Sequence, residues 1–320
     1  FGYDMKTREN MRYRWKIIGS LFVLLLLFTI RSKAQQDPMF TQYNFNIQSF
    51  NPAYAGTWDN AGFLVLGRHQ WVGMAGAPTT YTLSFQTPVK FQNFALGMNM
   101  IADKVGFEKR LGANVDYSYR IKITNKTNLR LGIKGGVTTY TNNLTEYTGY
   151  PGDPADPMFM SDIETKFMPN FGIGAFLSNE IYYVGISSPK ILKTDFKNNH
   201  SNFSTTAELR HFFLIGGYVF ELSDYLRFKP TFLARTVWGA SSVFDFTANF
   251  LLGEKVWLGA NYRTGDSFGF VGQWIFENLR LGYGFDYSVT PLHSFHNATH
   301  EVMISYELPA RRRYSSPRMF

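Results

Sequence analysis

Long stretches of strict two-residue alternation constrain this chain more than any other feature. Between Leu279 and Val289, the residues Leu279, Leu281, Tyr283, Phe285, Tyr287 and Val289 alternate with Arg280, Gly282, Gly284, Asp286 and Ser288. Successive side chains of an extended strand point to opposite faces, so this stretch has one apolar and one polar face. Leu111–Lys122, Leu129–Thr139, Val256–Arg263 and Val302–Leu308 follow the same rule. After Gly56 there is no convincing amphipathic helix. About fourteen alternating segments cover 61–70, 79–88, 92–102, 108–122, 127–140, 166–178, 180–187, 205–221, 223–236, 241–252, 254–264, 266–277, 278–290 and 299–309. The eighth is the least clear, because Phe212–Phe220 is apolar on both faces.

Two architectures use such strands. A soluble sandwich or barrel turns the apolar face inward. A transmembrane barrel turns it toward lipid and keeps the lumen polar. The apolar faces carry Tyr, Phe and Trp near the segment ends, as membrane-interface girdles require. The polar faces carry Arg, Lys and Asp with Gly between them, which suits a packed wet lumen. Segments of about 9–14 residues suffice for a tilted crossing, whereas soluble strands average about 5–6. The expected fold is therefore all-β, a transmembrane antiparallel β-barrel of about fourteen strands over residues 61–309.

Loop lengths give an independent test. With the chain entering from the periplasm, even-numbered connections face the periplasm and odd-numbered ones face outward. The even ones are short, around Phe91, Asn125-Lys126, Asn179, Leu222-Ser223, Gly253 and Glu277-Asn278. The long ones are all odd: 71–78, 141–165, 188–204 and 291–298. Short periplasmic turns and long outer loops belong to an outer-membrane barrel, and a sandwich has no reason to obey the parity.

The ends differ from the middle. Arg12, Arg14 and Lys16 precede the 14-residue apolar run Ile17–Ile30, and Ser32-Lys33-Ala34 follows. Basic, then apolar, then small residues make a secretory signal peptide over 1–34, with the mature chain expected from Gln35. The run is short of the ~20 residues of a spanning helix. Seven Lys/Arg against two acids put +5 in residues 1–34, and Arg311, Arg312, Arg313 and Arg318 put +4 in the tail. Of the net +8, residues 35–310 therefore hold −1. Basic charge confined to two ends argues against nucleic acid as a partner. The absence of Cys excludes disulfides, thiolate metal sites and Cys nucleophiles.

Several blocks resemble the PorP/SprF family of Bacteroidota. They are Gln36-Asp37-Pro38-Met39-Phe40-Thr41-Gln42-Tyr43, Asn51-Pro52-Ala53-Tyr54-Ala55-Gly56, and Arg68-His69-Gln70-Trp71-Val72-Gly73 with Gly76-Ala77-Pro78-Thr79-Thr80. His211-Phe212-Phe213-Leu214, Asn278-Leu279-Arg280-Leu281-Gly282-Tyr283 and His300-Glu301-Val302 match further along. Ser316-Pro317-Arg318-Met319-Phe320 resembles the family's ending, with Met319 a departure. The resemblance implies an outer-membrane barrel of the type IX secretion system, with a gliding role in some members. It also implies export of particular surface proteins, with other secretion components, periplasmic peptidoglycan-associated proteins and a secreted cargo as partners beside the outer-membrane lipid.

Residues 35–60 lack sustained alternation. They read either as a flexible periplasmic leader or as a plug folded into the lumen, which a wide barrel needs if it is not to leak. Asp37, Pro38, Phe40, Gln42, Asn51, Pro52, Ala53 and Gly56 are the candidate plug residues, and Asn51-Pro52-Ala53 resembles the hatch motif of fatty-acid-transporter barrels. On the polar faces, Asp116, Arg120, Lys122, Arg130, Lys134, Arg280 and Asp286 are expected to form a lumen network. Buried charge must be paired or solvated, so these residues should meet acids such as Asp116, Asp245, Glu301 or Glu307, or the plug.

Partner contacts are expected at two places. Trp71 with Pro78 is apolar for a loop tip, although Trp71 also suits an interface girdle. The tail 310–320 carries Arg311, Arg312, Arg313, Arg318 and Phe320 beyond the last strand. Arg pairs with carboxylates bidentately and an aromatic supplies an anchor, so a periplasmic protein ligand is favoured over anionic headgroups. His293, His296 and His300 lack a metal-site scaffold, and Asp153, Asp156, Asp162 and Glu164 lack an ordered calcium-loop pattern. No nucleophile elbow is present. The chain is therefore expected to work without cofactor or catalysis, as a secretion component. The alternative is a channel or transporter for small hydrophobic or polar solutes, which an open lumen would favour.

Overall fold

The computed structural model describes residues 37–89, 93–149, 162–197, 204–237 and 241–309. The expected signal peptide and the Arg-rich tail lie outside the described residues. Seventeen strands form among those described. They are β1 (Gly62–His69), β2 (Thr79–Pro88), β3 (Phe94–Val105), β4 (Glu108–Lys122), β5 (Asn128–Asn142), β6 (Ile163–Ser178), β7 (Tyr182–Ser188), β8 (Thr194–Lys197) and β9 (Ser204–Glu208). After them come β10 (His211–Tyr218), β11 (Phe220–Ser223), β12 (Leu226–Val237), β13 (Val243–Leu252), β14 (Val256–Arg263), β15 (Ser267–Phe276), β16 (Leu279–Ser288) and β17 (Thr299–Glu307).

Every ring strand pairs antiparallel with its chain neighbour. The first and last strands also pair, from Gly62 opposite Glu307 to Arg68 opposite Glu301. β10 bonds both β7 and β12, which closes the ring, and β11 continues along β12 after the break at Val219. β10 and β11 thus make one stave, and the ring has fourteen. Closure leaves no edge strand, so every backbone donor and acceptor at membrane depth can be met within the ring.

The side chains are distributed inside out. Arg263, Lys229, Asp116 and Glu301 are buried, whereas Val115, Ile133, Phe270 and Ile173 stand exposed on the outer face. Apolar side chains facing outward around a closed ring are the signature of a lipid-facing barrel. Outward aromatics gather near both strand ends. Tyr81, Phe244, Tyr262, Phe268 and Tyr287 lie toward the long loops, and Phe85, Tyr119, Trp274 and Phe276 toward the short turns. These are the two girdles expected at the membrane interfaces.

The expected eighth segment, 205–221, is two pieces of different sheets. Ser204–Glu208 pairs with Thr194–Lys197 in a separate hairpin, and the stave begins at His211. The reason lies in β7. It ends at Ser188 before Pro189, so the ring offers 204–208 no partner, and the long loop pairs with itself.

Candidate functional site

Residues 37–60 do not join the sheet. They thread the barrel from the long-loop mouth, where Asp37 lies 3.2 Å from Lys190 and 3.4 Å from His211, to the short-turn mouth, where β1 begins. Phe40–Gln48 and Phe50–Trp58, apart from the part-exposed Thr57, are buried. They pack on inward side chains from opposite sides of the ring.

One anchor sits on the closing strands. The Glu301 carboxylate accepts from Thr41 N at 2.9 Å and Gln42 N at 2.8 Å. Thr41 Oγ1 donates to Asp286 at 2.7 Å. Arg68 bridges the two acids, at 2.9 Å from Asp286 and 3.1 Å from Glu301, and its Nη1 also donates to Thr41 Oγ1. Arg263 lies 2.6 Å from Asp245 and 3.1 Å from Asp266, and it donates to the Phe40 carbonyl at 3.2 Å. A carboxylate taking two successive backbone N–H groups fixes the chain direction as well as its place. Beyond this cluster, the Tyr43 hydroxyl meets Thr231 and Thr247, each at 3.0 Å.

A second anchor sits on the other side. Lys134 donates to the Gln48 and Ser49 carbonyls at 3.3 and 3.1 Å and lies 3.5 Å from Asp116, to which Gln48 donates at 3.2 Å. Asn51 then caps a short 3₁₀ turn, Pro52–Tyr54, by accepting from Ala53 N at 3.0 Å, with Pro at the first position where its missing N–H costs nothing. Asn51 Nδ2 also donates to the Ala175 carbonyl. The turn presses on β5 and β6 at Gly132 and Gly174, where any Cβ would collide with Ala53, Pro52 or Asn51. Ser118 and Gln86 then hold Ala55 and Gly56, at 2.5 and 2.7 Å.

Electrostatics follow from burial and partners. Burial pushes the Asp37 carboxyl up, but Lys190 and His211 outweigh it and hold the group below the usual carboxylate range.

The expected lumen residues divide. Asp116 with Lys134, and Asp286 with Arg68, are in the cluster; Arg280 faces inward near the short-turn mouth. Arg120 and Arg130 depart from expectation. They are cross-strand partners of each other, and neither forms an ion pair among the described residues. Arg120 donates to Asn93 at 3.4 Å, and Lys122 is exposed at the strand end. Arg130 is buried and Arg120 half-buried at the short-turn ends of β5 and β4, and Arg120 Nε has no hydrogen-bond partner among the described residues. Arg68 and Arg263, which hold the segment at Thr41 and Phe40, were not among the expected network. Alternation places Arg263 on the polar face of β14. In β1, Leu64 and Leu66 share the inward face with Arg68, which hides the signal.

At the rim, Trp71 is half-buried, adopts φ 51° and meets the His296 ring in a tilted arrangement at 6.0 Å. Gln70 bonds the Pro78 carbonyl, and Val72 bonds the 289–298 connection, so the first outer loop rests on the last. His293 binds the Thr290 carbonyl and His300 the Tyr283 hydroxyl, so the three histidines do not converge. Asp162 accepts from Thr145, while Asp153 and Asp156 lie outside the described residues.

A family model described as the type IX secretion system membrane protein PorP/SprF matches residues 32–306. No curated protein matches the chain. Among solved structures, a Pseudomonas aeruginosa FadL homologue is 10% identical, with TM-score 0.48, over 85% of this chain and 95% of that one. The Pseudomonas putida toluene transporter TodX is 10% identical with TM-score 0.46, over 82% and 93%. Acinetobacter baumannii Omp33 is 9% identical with TM-score 0.45, over 77% and 97%. At such identities these likenesses concern barrel shape and say nothing of function.

Proposed function

The chain belongs to the PorP/SprF family of type IX secretion system membrane proteins, and from that premise we propose that this outer-membrane barrel is a partner-binding component rather than a pore. It binds periplasmic secretion components and assists the export of particular surface proteins, without catalysis. The observation that carries this reading is the lumen segment, tied at Thr41 and Gln42 to one side of the ring and at Gln48 to Gly56 to the other. A bore occupied by its own chain on two anchors is a plug, and it leaves the two mouths as working surfaces.

The periplasmic contact is assigned to Arg311, Arg312, Arg313, Arg318 and Phe320, and the cargo-side contact to the rim at Trp71 and Pro78. Removing 311–320 tests the first assignment. The truncated protein is expected to remain a heat-modifiable outer-membrane barrel, to lose its periplasmic partners on co-purification, and to stop exporting cargo. Full partner recovery and full export would overturn it.

A further inference from the structure

Between the lumen segment and the outward halves of β3–β5, β10 and β12 lies a cavity of about 100 Å³. Phe40, Phe50, Phe213 and Leu233 form its apolar side, with Phe50 and Phe213 stacked at 5.1 Å. Most charges on its wall have partners. Asp245 is held by Arg263 and Asp37 by Lys190, Lys134 faces Asp116, and Asp103 accepts from Thr80 at 2.6 Å.

Arg235 differs. It lines the cavity with 4% of its surface exposed and forms no ion pair among the described residues. Its Nη1 reaches only the Asp37 carbonyl, at 3.4 Å, and its Nη2 has no hydrogen-bond partner. A buried cation left without an anion is costly, and a guanidinium with free donors matches the planar fork of a carboxylate. Phe40, Phe50, Phe213 and Leu233 face the same space, which suits a hydrocarbon body behind that head group, while the other charges of the wall are engaged with their own partners.

We propose that this cavity binds a small monocarboxylate with an apolar body, its head on Arg235 and its body against Phe50, Phe213 and Leu233. The site goes beyond the secretion role and does not depend on it. Phe40 and Phe50 belong to the lumen segment, so an occupied site ties that segment to β10 and β12 and stabilises its threaded state by linkage.

The test uses the full mature protein in lipid nanodiscs and radiolabelled benzoate in equilibrium dialysis. Saturable binding near one equivalent is expected, displaced by hexanoate and not by benzylammonium. Arg235→Gln should weaken binding by at least about tenfold, since the carboxylate loses its charged partner. Ile101→Trp, which fills the cavity and keeps Arg235, should weaken it likewise. No saturable benzoate on the heat-modifiable wild-type barrel would overturn the proposal. So would displacement by benzylammonium as effective as that by hexanoate, a result that needs no variant to fold. Undiminished binding by a folded Arg235→Gln protein would overturn it as well.

Discussion

Glu301 is fully buried and accepts two successive backbone N–H groups while facing Arg68 at 3.1 Å. Each contact needs the charge: a neutral amide has one acceptor oxygen and cannot serve both N–H groups and the guanidinium. Glu301→Gln should therefore destabilise the protein by about 3–5 kcal/mol, as breaking a buried pair does, and loosen the lumen segment. Heat-modifiability midpoints and single-channel recordings check it together. A wild-type midpoint with a closed lumen would show that the anchor lies elsewhere. Lys229 makes a contrasting case at the same scale. It is fully buried between the rings of Phe45 at 5.0 Å and Trp257 at 4.5 Å, so aromatic faces take the place of an acid. Lys229 was not among the expected lumen residues, and which rings meet it depends on where Phe45 comes to lie.

Strands divide their residues between two solvents. In β5, Ile133 is exposed on the lipid face and its neighbour Lys134 is buried in the lumen. Ile133→Arg puts a charge into hydrocarbon near mid-strand, at a cost of about 2–4 kcal/mol, whereas Ile133→Leu should be near neutral. Folding yield into vesicles measures the difference, and equal yields for the two variants would mean that this face does not meet lipid. The loops follow another logic. Trp71 packs its ring against that of His296 and joins the first outer connection to the last. On the proposed cargo-side role, Trp71→Ala should impair export of the cognate surface protein more than barrel abundance, read by surface labelling against total protein. Equal losses would assign Trp71 to structure alone. Alternation made most strands legible. It misled at 205–208, which pair with 194–197 in a separate hairpin rather than in the ring, because β7 stops before Pro189.

For the molecule as a whole, ring and lumen segment are separable in principle. The β1–β17 ladder closes the sheet through backbone bonds that use no atom of residues 37–56. Deleting 37–56 should therefore leave a barrel that assembles and shifts on heating. It should also raise single-channel conductance and antibiotic sensitivity. If the intact protein already conducts like an open porin, the plug reading fails and the channel reading gains. The converse holds for stability: the buried ion pairs around Thr41 lose their filling partner, so the deleted barrel should melt lower than the intact one.

The sequence by itself determined the class, the number of staves and the alternation of short and long connections between the two ends of the barrel. These depend on period-two patterning and connection lengths, which are local quantities carried by residues such as Leu279–Ser288 and the turn at Glu277-Asn278. Its resemblance to a hatch motif singled out Asn51-Pro52-Ala53, where the structure has a 3₁₀ turn capped by Asn51. Only the tertiary structure decided which inward charge meets which. Arg68 and Glu301 are 233 residues apart in the chain and adjacent only because the first strand closes on the last. The same closure assigned Gly132 and Gly174 their role, since the need for a missing Cβ arises from a turn that reaches them across the lumen. Long-range pairing is set by register and ring closure, and no local pattern encodes it.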